Sequence, residues 1–267
     1  MLDLLGYQGK NVVITGAASG MGEAAARLLA DLGAEVYALD IAPVSAPVAA
    51  AMEVDMKDHD SIDAAVASLP EGIHAVFNCA GVPSPPFSAE DTVLINFVGL
   101  RYLTESLIPR IAEGGGIASI ASTAGMAWRP KLHKVQEFLA LDSSQQSARQ
   151  WMADNPEECA DGYGFSKQCI IVYTMHSAKA LAARNIRINC ISPSPTASGF
   201  MDRLQGEGQL PAEAIGRYAT GAEMGEPLVL LNSSLASFVS GVNLPVDFGY
   251  CAELYTGQRD DLLGITG

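Results

Sequence analysis

The feature that most constrains this chain is a glycine-rich turn that lies directly between an apolar run and a helical stretch. The run Asn11–Thr15 (NVVIT) has the composition of a buried strand, and the Ala/Leu-rich stretch Glu23–Leu32 is typical of a helix. The turn between them carries glycine at positions 16, 20 and 22. A strand, a tight turn and a helix in this order favour an α/β fold.

The same alternation continues through most of the 267 residues. Further runs that predict strands are Glu35–Asp40, Ala75–Asn78, Ile117–Ala121, Arg187–Ile191 and Val242–Val246. Helical stretches lie between them at Ile62–Leu69, Thr92–Arg110, Gly164–Ala183 and Met224–Ser234. This order predicts a Rossmann-type, doubly wound parallel sheet with helices on both faces, in a single domain over residues 1–267. Such a sheet offers a ligand crevice at the carboxyl ends of its strands.

One segment interrupts this pattern. Residues Met126–Gly162 are polar and contain both tryptophans, and we predict that they form a partly helical insertion within the domain. Apolar residues at Val135, Phe138, Leu139 and Leu141 give it an amphipathic signature. Two interpretations remain open: the insertion caps the crevice, or its apolar face contacts a neighbouring subunit.

Composition excludes several classes of partner. The formal net charge of −14 argues against nucleic acid or an anionic membrane, because both select basic patches. The five cysteines are scattered without a CxxC pair and the four histidines show no ligand spacing, so we expect neither disulfides nor a metal site. No run is long enough to span a membrane, and the N-terminus lacks the order of a signal peptide. We therefore expect a cytoplasmic protein.

The glycine turn predicts a dinucleotide site. A pyrophosphate needs backbone N–H donors and the positive end of a helix, and side chains must be absent where the backbone approaches the phosphates. Glycines at 16, 20 and 22, between a strand and a helix, meet these needs. The alternative is a glycine-rich turn that binds nothing.

Asp40 indicates which dinucleotide is bound. It ends the second predicted strand, about twenty residues after the glycine turn, where a carboxylate can accept hydrogen bonds from ribose hydroxyls and repel a 2′-phosphate. No Arg or Lys occupies Ala17, Ala18, Ser19 or Ile41, so the pattern favours NAD over NADP. The alternative is an aspartate that only caps a loop.

Tyr163 and Lys167 are candidates for proton transfer. A spacing of four residues places both side chains on one face of a helix. A nearby ammonium favours the phenolate, so the two side chains form a plausible proton donor and acceptor. Taken alone, the YxxxK pattern is also compatible with a solvated surface pair.

The order of the motifs resembles the short-chain dehydrogenase/reductase family. The matching residues, over about Gln8 to Gly249, are TGAASGMG (15–22), Asp40, NCAG (78–81), Asn96, SIAS (119–122) and YGFSK (163–167). Within that family the chain is most similar to the coniferyl-alcohol dehydrogenase and 3α-hydroxysteroid dehydrogenase group. That closer match rests on AGVPSPP, NFVGLRYLTESLIPRI, AGMAWRPKLHK and WMADNP, and on the long gap between Ser122 and Tyr163.

The resemblance implies a role for each catalytic residue. Tyr163 is expected to be the general acid/base, and Lys167 to lower its pKa and hold the nicotinamide ribose. Ser122 is expected to hydrogen-bond the substrate oxygen. Asn96 is expected to position a water that relays the proton from Lys167. For Asn96, and for Asp55 in the cofactor site, a hydrogen bond within a helix or loop is the alternative interpretation.

The cofactor site implied by the motifs is larger than the glycine turn. It comprises Gly16, Ser19, Gly20, Met21, Gly22, Asp40, Ile41, Asp55, Met56, Asn78, Ala80, Gly81, Tyr163, Lys167, Pro193, Thr196 and Ser198. Two departures from the family pattern stand out. Ser194 replaces a glycine in the turn after Pro193, with Ser198 where threonine is usual, and Phe248 interrupts the late Val-Asp-Gly-Gly signature.

The resemblance implies an NAD-dependent oxidoreductase that interconverts an alcohol and a carbonyl by hydride transfer. The expected substrate is a bulky hydrophobic alcohol, either a hydroxysteroid or an aryl-allylic alcohol such as coniferyl alcohol. A homo-oligomer is expected on the same basis. The alternative is a catalytically silent NAD-binding regulatory or structural subunit on the same fold.

Overall fold

A computed structural model describes residues 3–197, 217–261 and 264–265. The strands are β1 (Asn11–Thr15), β2 (Glu35–Asp40), β3 (Ala50–Glu53), β4 (Ile73–Asn78), β5 (Ile111–Ile120), β6 (Arg187–Pro193) and β7 (Asn243–Val246). The α-helices are α1 (Gly20–Asp31), α2 (His59–Ser68), α3 (Ala89–Val93), α4 (Leu100–Leu107), α5 (Leu132–Leu139), α6 (Gln145–Asp154), α7 (Gly162–Ala182), α8 (Gly221–Asn232) and α9 (Tyr250–Tyr255).

The strands form one parallel sheet in the order β3-β2-β1-β4-β5-β6-β7, which confirms the predicted fold class. The order reverses between β1 and β4, and a ligand crevice opens at such a reversal. Thr15 pairs with Asn78, which in turn pairs with Ser119, so the motif residues meet at the carboxyl edge of the sheet. The short edge strand β3 was not predicted.

Helices cover both faces of the sheet. In β1, Val12 and Ile14 point into a core shared with α1 and α8, whereas Val13 points into the core under α2, α4 and α7. Both faces of the strand are therefore buried, which is why its sequence is a continuous apolar run rather than an alternating one. No helix in the described ranges combines the length and hydropathy needed to cross a membrane.

The stretch predicted as one helix over Thr92–Arg110 is helical but divided. The α-helices α3 and α4 are separated by a π-helical turn at Leu94–Gly99, and a short 3-10 turn follows at Ile108–Arg110. The π-turn contains Asn96. Turns of this kind in α-helices frequently mark functional sites.

A 3-10 turn at Thr123–Trp128 leads into the insertion, which contains the helices α5 and α6 and is therefore partly helical. Two residues of its apolar face are buried inside the subunit, Val135 at 0% and Phe138 at 2% exposed, whereas Leu139 and Leu141 are half-buried. The ring of Phe138 lies 5.3 Å from Phe165 of α7 and 4.9 Å from Trp151. Val135 and Phe138 are therefore available neither to a substrate nor to a neighbouring subunit, because they pack inside the subunit.

Candidate functional site

The glycine turn connects β1 to the N-terminus of α1. Gly16 and Gly20 have φ angles of +67° and +59°, a region that side chains disfavour. A Cβ atom on Gly16 would lie 2.6 Å from the backbone nitrogen of Ala80, and one on Gly22 would collide with the carbonyl oxygen of Gly16. At positions 16 and 22, glycine is therefore required by close backbone packing within the protein. The first turn of α1 is left open to the crevice, with N–H groups that the helix itself does not use.

Thr15 fixes the turn against the segment that follows β4. Its hydroxyl oxygen accepts hydrogen bonds from the backbone N–H groups of Cys79 and Ala80, each at 3.1 Å. The two segments that form the crevice wall are thus held together by one side chain.

Asp40 has two structural partners at the end of β2. Its carboxylate accepts hydrogen bonds from the N–H of Ala18 at 2.8 Å and from the N–H of Ala42 at 2.9 Å. The loop-capping interpretation therefore describes part of its role. Asp40 also lines the crevice beside Ile41, which is 65% exposed.

The crevice has a volume of about 430 Å³. The predicted residues that line it are Gly16, Ser19, Gly20, Met21, Gly22, Asp40, Ile41, Asp55, Met56, Ala80 and Gly81. No Arg or Lys is among the described residues of its wall. An open helix N-terminus, left-handed glycines and a carboxylate at the end of β2 fit a dinucleotide. In the same described ranges, no cluster of His, Cys, Asp or Glu side chains is arranged to hold a metal.

Several residues of the crevice wall were not predicted from the sequence. Pro43, Val82, Phe87 and Ile95 also line the crevice. Each follows or precedes a predicted motif by a few residues, so proximity to the motifs was the only signal in the sequence. Their side chains give the crevice an apolar wall.

Tyr163 and Ser122 are brought together at the carboxyl edge of the sheet. Asp161 caps the N-terminus of α7 by accepting a hydrogen bond from the N–H of Gly164 at 2.9 Å, which places Tyr163 in the first turn. Ser122 follows β5, and a hydrogen bond joins its side chain to that of Tyr163. Burial raises the pKa of Tyr163 to about 12; the bond to Ser122 opposes this shift and the charge of Asp161 adds to it.

Lys167 lies one turn further along α7 and is 4% exposed. Its ammonium donates a hydrogen bond to the carbonyl oxygen of Ile120 at 2.9 Å. Burial lowers the pKa of Lys167 to about 8, and the neighbouring thiols of Cys79 and Cys190 oppose this shift. A cation is thus held beneath Tyr163 without a carboxylate among its described partners.

The side chain of Asn96 holds the backbone of Val82. Its oxygen accepts from the N–H of Val82 at 2.7 Å, and its amide donates to the carbonyl of Val82 at 3.0 Å and to the hydroxyl of Ser166 at 3.3 Å. A Cβ atom on Gly81 would lie 3.3 Å from Asn96 Oδ1 and 3.6 Å from Lys167 Nζ. Asn96 and Lys167 are therefore neighbours, separated by the space that Gly81 leaves.

Asn78, Pro193 and Thr196 are not among the residues that line the crevice. The amide of Asn78 is buried and donates to Thr104 and Ser119, so this side chain does not face the crevice as the resemblance implied. Thr196 is also buried, and its hydroxyl donates to the carbonyl of Ser194 at 2.9 Å. Pro193 ends β6 at the carboxyl edge of the sheet. Ser198 lies outside the described residues.

Comparison with known proteins agrees with this geometry. A family model described as "short chain dehydrogenase" matches residues 10–133, and a second, described as "Enoyl-(Acyl carrier protein) reductase", matches residues 143–251. The coniferyl-alcohol dehydrogenase of Pseudomonas sp. strain HR199 is 32% identical over 250 residues, which is 90% of this chain and 96% of that protein. The 3-alpha-hydroxysteroid dehydrogenase/carbonyl reductase of Comamonas testosteroni is 24% identical over 92% of this chain and 98% of that protein.

The fold has a close counterpart among solved structures. The 3-alpha-hydroxysteroid dehydrogenase from Pseudomonas sp. B-0831, solved with NADH, superposes with a TM-score of 0.78 at 24% identity. The superposition covers 94% of this chain and 100% of that chain. Together with the family models and the relative that is 32% identical, this shows that the chain belongs to the short-chain dehydrogenase/reductase family of oxidoreductases.

Proposed function

We propose that the protein is an NAD-dependent oxidoreductase that interconverts an alcohol and a carbonyl. The observation that carries this proposal is the hydrogen bond between Tyr163 and Ser122, made above the buried ammonium of Lys167. A hydroxyl pair beside a buried cation can bind a substrate oxygen and exchange a proton with it.

The proton steps follow from these side chains. Ser122 donates a hydrogen bond to the substrate oxygen and so orients it toward Tyr163. With a pKa of about 12, Tyr163 is a phenol at neutral pH and can protonate the oxygen of a carbonyl substrate. In the oxidation direction Tyr163 must first lose its proton, and the nearby charge of Lys167 favours the phenolate. We propose that a water oriented by Asn96 accepts a proton from Lys167, and that Lys167 in turn takes up the proton that Tyr163 loses.

NAD, when bound, would accept the hydride that leaves the alcohol. The residues proposed to hold it are the first turn of α1 for the pyrophosphate and Asp40 for the adenosine ribose. The absence of Arg and Lys from the described crevice wall supports NAD over NADP. Both oxygens of Asp40 already accept backbone N–H groups, so the carboxylate is held in place before the cofactor arrives.

The proposed substrate is a bulky hydrophobic alcohol, either an aryl-allylic alcohol or a hydroxysteroid. The names of the two relatives support these classes. The second candidate function is a silent NAD-binding subunit. The close grouping of Ser122, Tyr163 and Lys167 counts against it, because a protein that only binds NAD has no need of a proton-transfer pair. A homo-oligomer is proposed from the family resemblance, and its mass in solution tests it.

The experiment is a substrate panel. Protein is mixed with NAD, or separately with NADP, and with coniferyl alcohol, a 3α-hydroxysteroid and a small aliphatic alcohol, while NADH or NADPH absorbance is followed. We expect NADH to form with a bulky alcohol, and NADPH to form much more slowly when NADP replaces NAD. Tight NADH binding with no turnover on any member of a broad alcohol and ketone panel would favour the silent subunit.

A further inference from the structure

The loop Val54–Lys57 forms one wall of the crevice, and several neighbouring elements hold it. Val54, Asp55 and Met56 line the crevice directly. The backbone N–H of Val54 donates to the carbonyl of Asp40 at 3.0 Å, which joins the loop to the residue proposed to select NAD.

Hydrogen bonds and close packing hold the polar groups of this loop. The N–H of Asp55 donates to the hydroxyl of Ser61 on α2 at 3.1 Å, and the carboxylate of Asp55 accepts from the N–H of Lys57 at 2.8 Å. The carbonyl of Met56 packs against Gly99 so closely that a Cβ there would collide with it. The loop is thus fixed by α2 and by the end of the π-turn.

A further support comes from the insertion. The side-chain amide of Gln145, the first residue of α6, donates a hydrogen bond to the carbonyl oxygen of Lys57. The ammonium of Lys57 pairs with Asp91 on α3, and Arg149 of α6 pairs with Glu90 on α3. Helices α3 and α6 therefore both contact the end of the loop.

Helix α6 is itself anchored in the protein. Ala148 and Met152 on its inner face are 3% and 6% exposed. The ring of Trp151 stacks on Phe165 of α7 with centroids 5.6 Å apart. Because α7 also carries Tyr163 and Lys167, α6 connects the proton-transfer helix to the far wall of the crevice.

We propose that Gln145 is a positioning residue for the cofactor: through the carbonyl of Lys57 it holds the loop Val54–Lys57 in the shape that receives the adenosine half of NAD. The insertion then contributes to cofactor affinity rather than to recognition of the alcohol. This inference rests on the proposed function, because it takes the crevice to be the NAD site. A loop held in its binding shape loses less conformational freedom when the ligand arrives.

The test replaces Gln145 with Met, which keeps the length of the side chain and removes the donor. Gln150→Ala on the same helix is the matched control, because Gln150 is exposed and its amide contacts only Asp154 among its described partners. NADH affinity is measured by fluorescence titration, AMP affinity by displacement of NADH, and folding by thermal unfolding. Gln145→Leu provides a second removal of the donor.

The expected loss of cofactor affinity is that of one removed hydrogen bond. We expect the Kd of NADH and of AMP to rise by a similar factor, about two- to tenfold, in Gln145→Met and not in Gln150→Ala. At saturating NAD, kcat and the KM for the alcohol should stay within about twofold of wild type.

The outcomes separate the two claims. Wild-type protein that fails to bind NADH overturns the proposed function, and this inference with it. Wild-type binding with unchanged NADH and AMP affinity in both Gln145 variants overturns the inference alone. A raised KM for the alcohol with unchanged AMP affinity would also contradict it, since that pattern assigns the insertion to the substrate.

Discussion

The ammonium nitrogen of Lys167 lies 5.5 Å from the centroid of the Tyr163 ring. The same nitrogen donates a hydrogen bond to the carbonyl of Ile120, the last residue of β5, at 2.9 Å. The helix that carries Tyr163 is therefore fixed to the strand that leads into Ser122. This contact explains how Ser122 and Tyr163, 41 positions apart in the sequence, keep their hydroxyl groups within hydrogen-bond reach.

Replacing Asp161 with Asn should shift the pH dependence of alcohol oxidation toward lower pH. The charge of Asp161 raises the pKa of Tyr163, so its removal should favour the phenolate that oxidation requires. Asn keeps an oxygen acceptor for the N–H of Gly164, so the helix cap is retained. The measurement is kcat/KM against pH for wild type and variant.

The substitution of Asp161 leaves the other titratable groups described near Tyr163 unchanged. They are Lys167 and the thiols of Cys79 and Cys190 beside it. Glu157→Gln, an exposed acid of the same segment, is the control and should leave the profile in place. Coincident profiles for Asp161→Asn and wild type would show that Asp161 has only a capping role.

Combining Asp40→Ala with Ile41→Arg should move the cofactor preference from NAD toward NADP. The double variant removes the carboxylate that repels a 2′-phosphate and supplies a cation at an exposed position. We expect the ratio of kcat/KM for NAD to that for NADP to fall by about tenfold or more, as for the loss of a charged hydrogen bond. Kinetics with both cofactors measure it.

Two controls accompany that variant. Ile41→Arg alone keeps the bonds from Ala18 and Ala42 to Asp40, and so separates the added cation from loosening of the turn. Glu35→Ala changes an exposed acid at the other end of β2 and should leave kcat/KM unchanged with both cofactors. A wild-type protein that prefers NADP would contradict the assignment.

Phe138→Ala should destabilise the protein by about 3 to 5 kcal/mol, the usual cost of truncating a buried aromatic residue. The ring is 2% exposed and contacts Phe165 and Trp151, so its loss opens a cavity between the insertion and α7. Denaturant unfolding measures the change. Gln136→Ala, exposed on the same helix, should stay within about 0.5 kcal/mol of wild type. Equal stability of the two variants would mean that the insertion packs elsewhere.

Most of the fold could be predicted from the sequence because its central strands are buried on both faces. Asn11–Thr15 and Glu35–Asp40 have the predicted bounds. The strand β3, Ala50–Glu53 (AAME), was missed because four residues rich in alanine include no β-branched or aromatic residue that would indicate a strand. The π-turn at Asn96 was not predicted either, because the mostly apolar sequence LINFVG is equally compatible with a buried α-helix.

The site was predictable where a motif has a local geometric meaning and less so where tertiary packing decides. The glycine turn and the Tyr163–Lys167 pair depend on spacing along one element, so sequence sufficed. The direction of the Asn78 amide is set by Thr104 and Ser119, which are distant in sequence. Val135 and Phe138 of the insertion are buried, as an amphipathic pattern predicts, but nothing in the sequence indicated that Phe138 packs on α7.

The central claim is that Tyr163 transfers the proton, and Tyr163→Phe tests it most directly. The ring keeps its packing and loses only the hydroxyl, so NADH affinity should remain within about twofold of wild type while kcat falls by at least about a hundredfold. The measurement is NADH formation with the best alcohol of the panel, at saturating NAD, beside a fluorescence titration of NADH. Turnover near the wild-type rate with intact NADH binding would contradict the account.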